Sequence, residues 1–347
     1  MEDNILDKEF KDLIFFVKQD ILKTRFKVQE NANIELINLY FRIGKIISEN
    51  AKYGSKFIEE FSTSLKLEFP DTTGFSKRNL SRMKKFYEKY KDLAILPPAV
   101  AKLPWTHNCI LLDKIKDDKI RNWYAEKCLE NGWAKTVLEH QIELHLYERQ
   151  AIAEKLTNFK NKLPTSQSEL ARDVIKDPYI FELEGIKENA IEKDIENAMM
   201  ERIKNILLEL GKGFSFVGSQ YKISTGNQDY YIDMLFYHLE LRCYIVVELK
   251  NIEFKPEYIG QLSFYVTAVD ETLRNKQDNQ TIGLLLCKGK DKLSVEWALK
   301  GTNNHIGVTS YEVRNRLPKE ILDRLPTEED INKYININNE DWKSNMQ

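Results

Sequence analysis

Three charged residues sit where a buried strand would not carry them without reason. The run YIDMLFYHLELRCYIVVELK, residues 231–250, is dominated by apolar strand formers but includes Asp233, Glu248 and Lys250. Side chains alternate along a strand, so Glu248 and Lys250 project from one face and place a carboxylate beside an ammonium. A hairpin turn around Leu239–Leu241 would set Asp233 across from the end of the next strand, close to Glu248. Two converging carboxylates raise each other's pKa unless a cation lies between them. With no His or Cys beside them, the donor set selects a hard, oxygen-binding ion, Mg2+ or Mn2+.

Helical periodicity supplies a third acid. In ENAIEKDIENAMMERIKNILLELG, Glu192, Glu196, Met199, Ile203, Ile206 and Leu210 fall on one narrow stripe. The apolar part of the stripe must face a sheet, so Glu196 points toward protein, Glu192 on the same stripe is a second candidate, and Glu201 lies opposite. In the helix after Lys250, PEYIGQLSFYVTAVDE, the residues Tyr258, Gln261, Tyr265 and Ala268 share a face and add polar groups near the Lys250 end of the strand. Such a set suits metal-assisted hydrolysis of a phosphodiester. The ion polarises the phosphoryl oxygen and lowers the pKa of a bound water, while Lys250 orients that water or neutralises developing charge. E-x-K alone is a frequent accident in a Lys- and Glu-rich chain. Its position at the end of an apolar strand, with acids on the preceding strand and helix, gives it meaning.

The elements that must position these groups follow from the rest of the chain. Its 347 residues suit two domains. Composition is that of a folded protein, 42% hydrophobic and 31% charged, which leaves little room for long disordered tracts. A formal net charge of −2 means that any nucleic-acid binding must use local basic patches and not a global field. The cysteines Cys109, Cys128, Cys243 and Cys287 are too far apart for a metal knuckle and read as reduced core thiols. Neither a secretory leader pattern nor a run of about 18 apolar residues occurs, and a cytoplasmic protein without a membrane segment is expected.

Residues 4–150 read as helices, with Leu36, Leu39, Tyr40, Ile43 and Ile46 repeating at three and four, and Phe57, Phe61 and Leu65 doing the same before Pro70. LPPAVAKLPW, residues 96–105, is a proline-rich loop, and a helix resumes around GWAKTVLEHQIELHLYERQ. Residues 162–185 are rich in turn formers and read as a linker, placing the boundary near 160–175. Beyond it the order is α-β-β-β-α-β-α-β: a helix over 188–210, strands in FSFVGSQYKI, YYIDMLFYHL and RCYIVVELK, a helix opened by Pro256, a strand in TIGLLLCK, a helix in VEWAL and a last strand near IGVTSYEV. A mixed sheet flanked by helices is the natural solution. The tail after Pro326 is acidic, Asn-rich and peripheral in this reading.

The stretches DPYIFELEG, LLELGKGFSFVGSQYKI, DYYIDMLFYHLELRCYIVVELK and FKPEYIGQLSFYVTAVDE resemble the YhcG-like bacterial members of the PD-(D/E)XK nuclease superfamily, and the likeness extends over nearly the whole chain. It implies a restriction-endonuclease-like α-β-β-β-α-β domain after a helical domain. Asp233, Glu248 and Lys250 would be the catalytic D…ExK, Glu196 the helix-borne acid, and Gln261 with Tyr265 an accessory Q-x-x-x-Y pair. The proline that names the superfamily is missing, and Ile232 stands there. YFRIGKII, YG at 53–54, FPDTTGFSKRNLSRMKKFY, LPWTHN, NWY and GWAKTVLEHQI look like the family's helical domain, with Phe41 where the family usually has tryptophan.

In SKRNLSRMKKFYEKYK, Ser76 is an N-cap, Leu80, Met83, Tyr87 and Tyr90 form an apolar face, and Arg78, Arg82, Lys85 and Lys89 line the other. With the preceding helix over 57–69 this resembles a helix-turn-helix whose basic stripe could reach nucleic acid. A solvated charged face is the plainer use of such a stripe. Protein contact competes as well, since Trp105, Trp123, Tyr124 and Trp133 could be core or a dimer seam. His140 and His145 are about 140° apart on a helix and read as structural. His238, on the strand face opposite Asp233, reads as a sheet histidine, with a general-base role as the alternative. GKGF at 211–214 lacks the spacing of a phosphate loop, so no nucleotide cofactor is implied.

The sequence therefore predicts a helical domain over 1–165, a nuclease domain over 166–335 and a tail over 336–347. Asp233, Glu248 and Glu196 are the expected ligands of Mg2+ or Mn2+, Lys250 orients the water, Gln261 and Tyr265 hold the substrate backbone, and a homodimer acts on DNA. The alternative is a catalytically silent protein of the same fold that binds nucleic acid or forms complexes.

Overall fold

The computed structural model describes residues 2–50, 56–93, 95–183, 190–226 and 228–314. The YG pair at 53–54, the expected helix start at 188, the end of the nuclease domain from 315 and the tail after Pro326 lie outside the described residues. The chain divides into two compact units, Met1–Glu143 and Leu144–Gln347. No helix among the described residues is long and apolar enough to cross a membrane.

The first unit is helical: α1 (Glu2–Glu49), α2 (Phe57–Glu68), α3 (Lys77–Tyr90), α4 (Pro98–Lys102), α5 (Trp105–Lys114), α6 (Asp118–Asn131) and α7 (Lys135–Glu143). Ser76 caps α3 as its sequence predicts, its hydroxyl accepting from the Asn79 amide at 3.3 Å. Leu80, Met83, Phe86 and Tyr90 are the buried face of α3; Tyr87, expected there, is half-buried against Phe41. Tyr40 and Ile47 of α1 meet Leu80 and Met83, and Gly44 allows the approach, since a Cβ there would collide with the Met83 carbonyl. Trp105 packs edge-on against Tyr40 and Phe86 and donates to Asn79 Oδ1 at 2.6 Å, so this tryptophan belongs to the unit's own packing. The single helix expected through His145 ends at Glu143 in a turn where His145 takes φ 51°, so the two histidines do not share a helix.

The second unit contains β1 (Leu156–Thr157), α8 (Phe159–Lys162), α9 (Thr165–Val174), β2 (Tyr179–Glu182), α10 (Glu192–Glu201), α11 (Ile203–Leu210), β3 (Phe214–Thr225), β4 (Gln228–His238), β5 (Cys243–Glu253), α12 (Glu257–Thr272), β6 (Ile282–Gly289), α13 (Lys292–Lys300) and β7 (His305–Arg314). The strands form a mixed sheet in the order β1-β7-β6-β5-β4-β3, with β2 also on β7. The hairpins β3–β4 and β4–β5 are antiparallel. Parallel pairing of β5 with β6 and of β6 with β7 needs crossovers, which α12 and α13 supply. Along β5, Cys243, Ile245, Val247 and Leu249 face α10 and α11, while Val246 faces α12. Both faces of the sheet are thus covered, and the continuous apolar runs are explained.

Several expectations are revised here, among them the loop at 96–105, which carries α4 and the first residue of α5. Of the stretch expected as a linker, residues 162–183 carry α9 and β2, and Phe159, Leu163 and Tyr179 enter the core beneath the sheet. β2 is buried at all four positions and so shows no alternation to read. The unit boundary accordingly falls earlier, because β1 pairs antiparallel with β7. The helix expected over 188–210 is two, broken at Arg202, where φ −123° and ψ 38° leave the helical region. α11 then presents Glu209, buried, to Arg149 and Lys176. Glu209 also accepts from the Ile180 amide at 2.8 Å, tying β2 to α11.

Candidate active site

The hairpin register decides the site. Met234 pairs with Val247 in the β4–β5 ladder, so the next position brings Asp233 to the Glu248 end of β5. Asp233 Oδ2 accepts from the Leu249 amide at 2.9 Å, which fixes the carboxylate against the neighbouring strand. Glu248 continues the face that Val246 begins and is buried to 1% exposure. The Lys250 ammonium donates to Glu248 Oε1 at 2.9 Å and to Glu192 Oε1 at 3.0 Å, and lies over the Tyr258 ring. Gln261, one face of α12, donates to Glu248 Oε1 at 2.8 Å and to the buried Tyr265 hydroxyl at 3.2 Å.

Glu196 is buried on α10, as its stripe predicts, and Glu201 is exposed. Both Glu196 oxygens accept from the Gln220 amide, at 2.8 and 2.9 Å, and the same nitrogen reaches Asp233 Oδ1 at 3.3 Å. Gln220 had no sequence signal as a site residue. It lies opposite Asp233 on β3, between the pairs Ser219–Met234 and Tyr221–Ile232, just beyond a register shift at Phe216/Gly218. Its φ of 44° is a left-handed conformation that glutamine adopts at a cost, a mark of a position held by its surroundings. The bulge that sets this up depends on pairing with β4. Asn251 is the other unforeseen neighbour: its side-chain amide donates to the Ala190 carbonyl at 2.5 Å and accepts from the Tyr311 hydroxyl at 3.2 Å, and its backbone N–H reaches Glu192 Oε2 at 3.4 Å.

The six residues expected at the site thus lie in two hydrogen-bonded groups that adjoin at Leu249: Glu196 and Asp233 through Gln220, and Glu248 with Lys250, Gln261 and Tyr265. Burial is the largest cause that pushes the Asp233 carboxyl up to about 6, and burial followed by the charge of Asp233 pushes Glu248 up to about 7. Burial works against the Lys250 ammonium, but Glu248 and Glu192 outweigh it and hold its pKa above the ordinary lysine value. Among the described residues no three acids, histidines or cysteines close on one point as an ion's ligands. The reason is visible: Gln220 spaces Glu196 from Asp233, and Lys250 stands at Glu248. The donor set nonetheless fits a hard divalent ion. Glu248 Oε2 is buried without a hydrogen-bond partner, and two carboxylates held at raised pKa are short of positive charge.

Other sequence candidates are placed elsewhere. His238 is fully buried, with Nδ1 accepting from the Leu241 amide at 3.1 Å and its ring against Phe214, a turn-closing role. All four cysteines are free and buried, with thiols pushed up to about 11 at Cys109 and about 12 at Cys128, Cys243 and Cys287. On α3, Arg82 and Lys85 both pair with Asp113, at 2.6 and 3.3 Å, and Lys89 pairs with Asp118 at 2.6 Å, while Arg78 is exposed.

Residues 172–326 match the family described as "YhcG PDDEXK nuclease domain", and residues 16–149 match "DUF1016 N-terminal domain". The chain belongs to the YhcG-like family of PD-(D/E)XK nucleases. Within this family it is 27% identical over 337 residues to "Putative nuclease YhcG" of Escherichia coli (strain K12), covering 87% of this chain and 89% of that one. Two solved structures match over part of this chain, which spans about half the length of each. One is a repair endonuclease from Pyrococcus abyssi, at 18% identity and a TM-score of 0.24 over 39% of this chain and 50% of that one. The other, described as an EndoMS–dsDNA2 complex, gives 17% and 0.26 over 39% and 50%. The fold class is that of the family: a helical region followed by a restriction-endonuclease-like domain built on a mixed sheet.

Proposed function

We propose that this nuclease hydrolyses phosphodiester bonds in DNA, using Mg2+ or Mn2+, in a bacterial cytoplasm and as a homodimer, with no nucleotide cofactor. The observation that carries the chemistry is the meeting of Asp233, Glu248 and Lys250, from two strands, at one half-open rim of the sheet. Asp233 and Glu248, with Glu196 behind Gln220, are the residues that would hold the ion. When bound, it supplies Lewis acidity toward the phosphoryl oxygen and a more acidic water.

The protein's own groups do the rest. Lys250 has a raised pKa and stays protonated across the working range, so it serves as a fixed cation: it orients the attacking water and offsets the charge that grows on the phosphoryl oxygens. It is not a general base. Gln261, steadied by the Tyr265 hydroxyl, fixes Glu248 Oε1 and leaves Oε2 free. Exposure of Gln220 and Gln261 at the rim leaves the site open to a polymer backbone, which Gln261 can also contact. On the helical unit, Arg78, Arg82, Lys85 and Lys89 are assigned to backbone phosphates. Exposed ion pairs are worth only about 0–1 kcal/mol, so phosphate can replace Asp113 and Asp118 as their partner.

The test is cleavage of linear and circular duplex DNA by the purified full chain in Mg2+ and in Mn2+, beside Lys250→Ala. Cutting by the parent, abolished in a Lys250→Ala protein with unchanged circular dichroism, is expected. Equal activity in the variant overturns the assignment. Salt-dependent DNA binding with no cleavage in either ion would assign the silent binding protein instead.

A further inference from the structure

We propose that α1 is a dimerisation helix, pairing antiparallel with α1 of a second copy of this chain about a two-fold axis near Val28. The helix has two apolar faces. Ile37, Tyr40 and Ile47 are buried, and Tyr40 and Ile47 pack with Leu80 and Met83 of α3, which closes one side. The other side is open over most of its length: Phe10, Ile14, Val17, Ile21, Val28, Leu39 and Ile46 are each between 38% and 63% exposed. At 3.6 residues per turn these positions stay within one stripe, about 100–120° round the helix from Tyr40 and Ile47, and the 36 steps from Phe10 to Ile46 make ten turns without drift. No stretch of helix this long holds such a face to water on its own propensity; it needs an apolar cover.

A second copy fits that face better than another occupant, for two reasons. The exposed stripe offers about 600 Å2 per chain, hence about 1,200 Å2 in a pair, the lower edge of specific interfaces; Leu13, Phe15, Phe16 and Leu22 at its margins add to this. The charges are also self-complementary in one direction. Residues 13–28 carry Lys18, Lys23, Arg25 and Lys27 against Asp20, a net +3, whereas residues 29–43, which they would face, carry Glu30 and Glu35 against Arg42, a net −1. A parallel pair would set the two basic halves side by side. An antiparallel pair sets each basic half along the acidic half of the second copy and, with the axis at Val28, places Phe10 against Ile46, Val17 against Leu39 and the exposed Glu35 against Ile21.

The surface is independent of the chemistry on the sheet, and its test reads mass, not cleavage. Sedimentation equilibrium of the full chain at micromolar concentration should give twice the chain mass, and Val17→Asp should give a monomer whose helical and sheet signals by circular dichroism are unchanged. The native cysteines are all buried, so a single added thiol reports the axis. Val28→Cys should crosslink to a dimer under mild oxidant, and Ile14→Cys should not, because the antiparallel pair holds those positions far apart. A monomeric parent, a Val17→Asp protein that stays dimeric, or crosslinking at Ile14 in preference to Val28 overturns the proposal. A monomeric parent that co-sediments with anionic phosphatidylglycerol vesicles would assign the face to lipid instead.

Discussion

Glu248 should weaken the metal-free fold above neutral pH, and Glu248→Gln should relieve it. The carboxyl stands near 7 in the folded protein against an ordinary value of 4.5. Roughly 2.5 units at about 1.4 kcal/mol each gives about 3 kcal/mol, an upper bound because Asp233 and Lys250 readjust when the charge is lost. The folded-state value lies above the unfolded one. The group's contribution to stability is therefore fully present below about pH 4.5 and lost as pH rises through about 7. Glutamine keeps the shape and the acceptor for Gln261 and Lys250 but does not titrate. In EDTA, the variant should match the parent near pH 4.5 and exceed it at pH 8, by roughly 6–12 °C in the melting temperature of a unit of this size if the full 3 kcal/mol is expressed. Scanning calorimetry at the two pH values, with EDTA and then with Mg2+, is the assay. The parent should gain stability from Mg2+ at pH 8, and the variant should gain little. A variant less stable than the parent at pH 8, or a difference that does not change with pH, would show that Lys250 and the backbone already satisfy the ionised carboxylate, and the electrostatic argument for an ion there would fail.

Other expectations follow from the same geometry. Glu209→Ala leaves the buried Arg149 and Lys176 cations without their acid and should cost about 3–5 kcal/mol by urea denaturation of the sheet unit; a loss below about 1 kcal/mol would mean that water reaches them. Gln220→Gly removes the amide shared by Glu196 and Asp233 but suits the left-handed backbone, so metal-free stability at pH 8 should fall by about 1–2 kcal/mol while the stabilisation gained from Mg2+ grows; no change in either, by calorimetric titration, would remove Gln220 from the site. Lys250, held cationic by two acids, should leave no lysine-like limb in the pH–rate profile below about pH 10, and a rate that falls through pH 8–9 with a lysine pKa would contradict its assignment as a fixed charge.

Much of the grouping at the candidate site was legible in the sequence because charge is conspicuous in apolar context. Asp233, Glu248 and Lys250 stand out in strands whose other residues are chosen for burial, and Glu196 stands out on a stripe that must face the sheet. What escaped notice were neutral side chains, Gln220 and Asn251, whose types are common on any surface. Their importance comes only from what lies opposite them. Gln220 needs the β3–β4 register and its bulge, and Asn251 needs α10 and β7, which are distant in sequence. β2 escaped for a different reason, since a four-residue strand buried on all sides has no period.

The sequence by itself determined most of the element types, the division into a helical part and a mixed-sheet part, and which charged groups stand out in apolar strands and on an inward stripe, because periodicity and the cost of burying charge are local and additive properties. Only the tertiary structure decided the strand order, the break at Arg202, the union of 144–162 with the sheet, and which donor answers each carboxylate. Those depend on pairings between segments far apart in the chain, where one residue of register moves every side chain to the other face. The open stripe of α1 belongs to both: its period is written in the sequence, and its lack of cover among the described residues appears only once α3 has taken a different face of the helix.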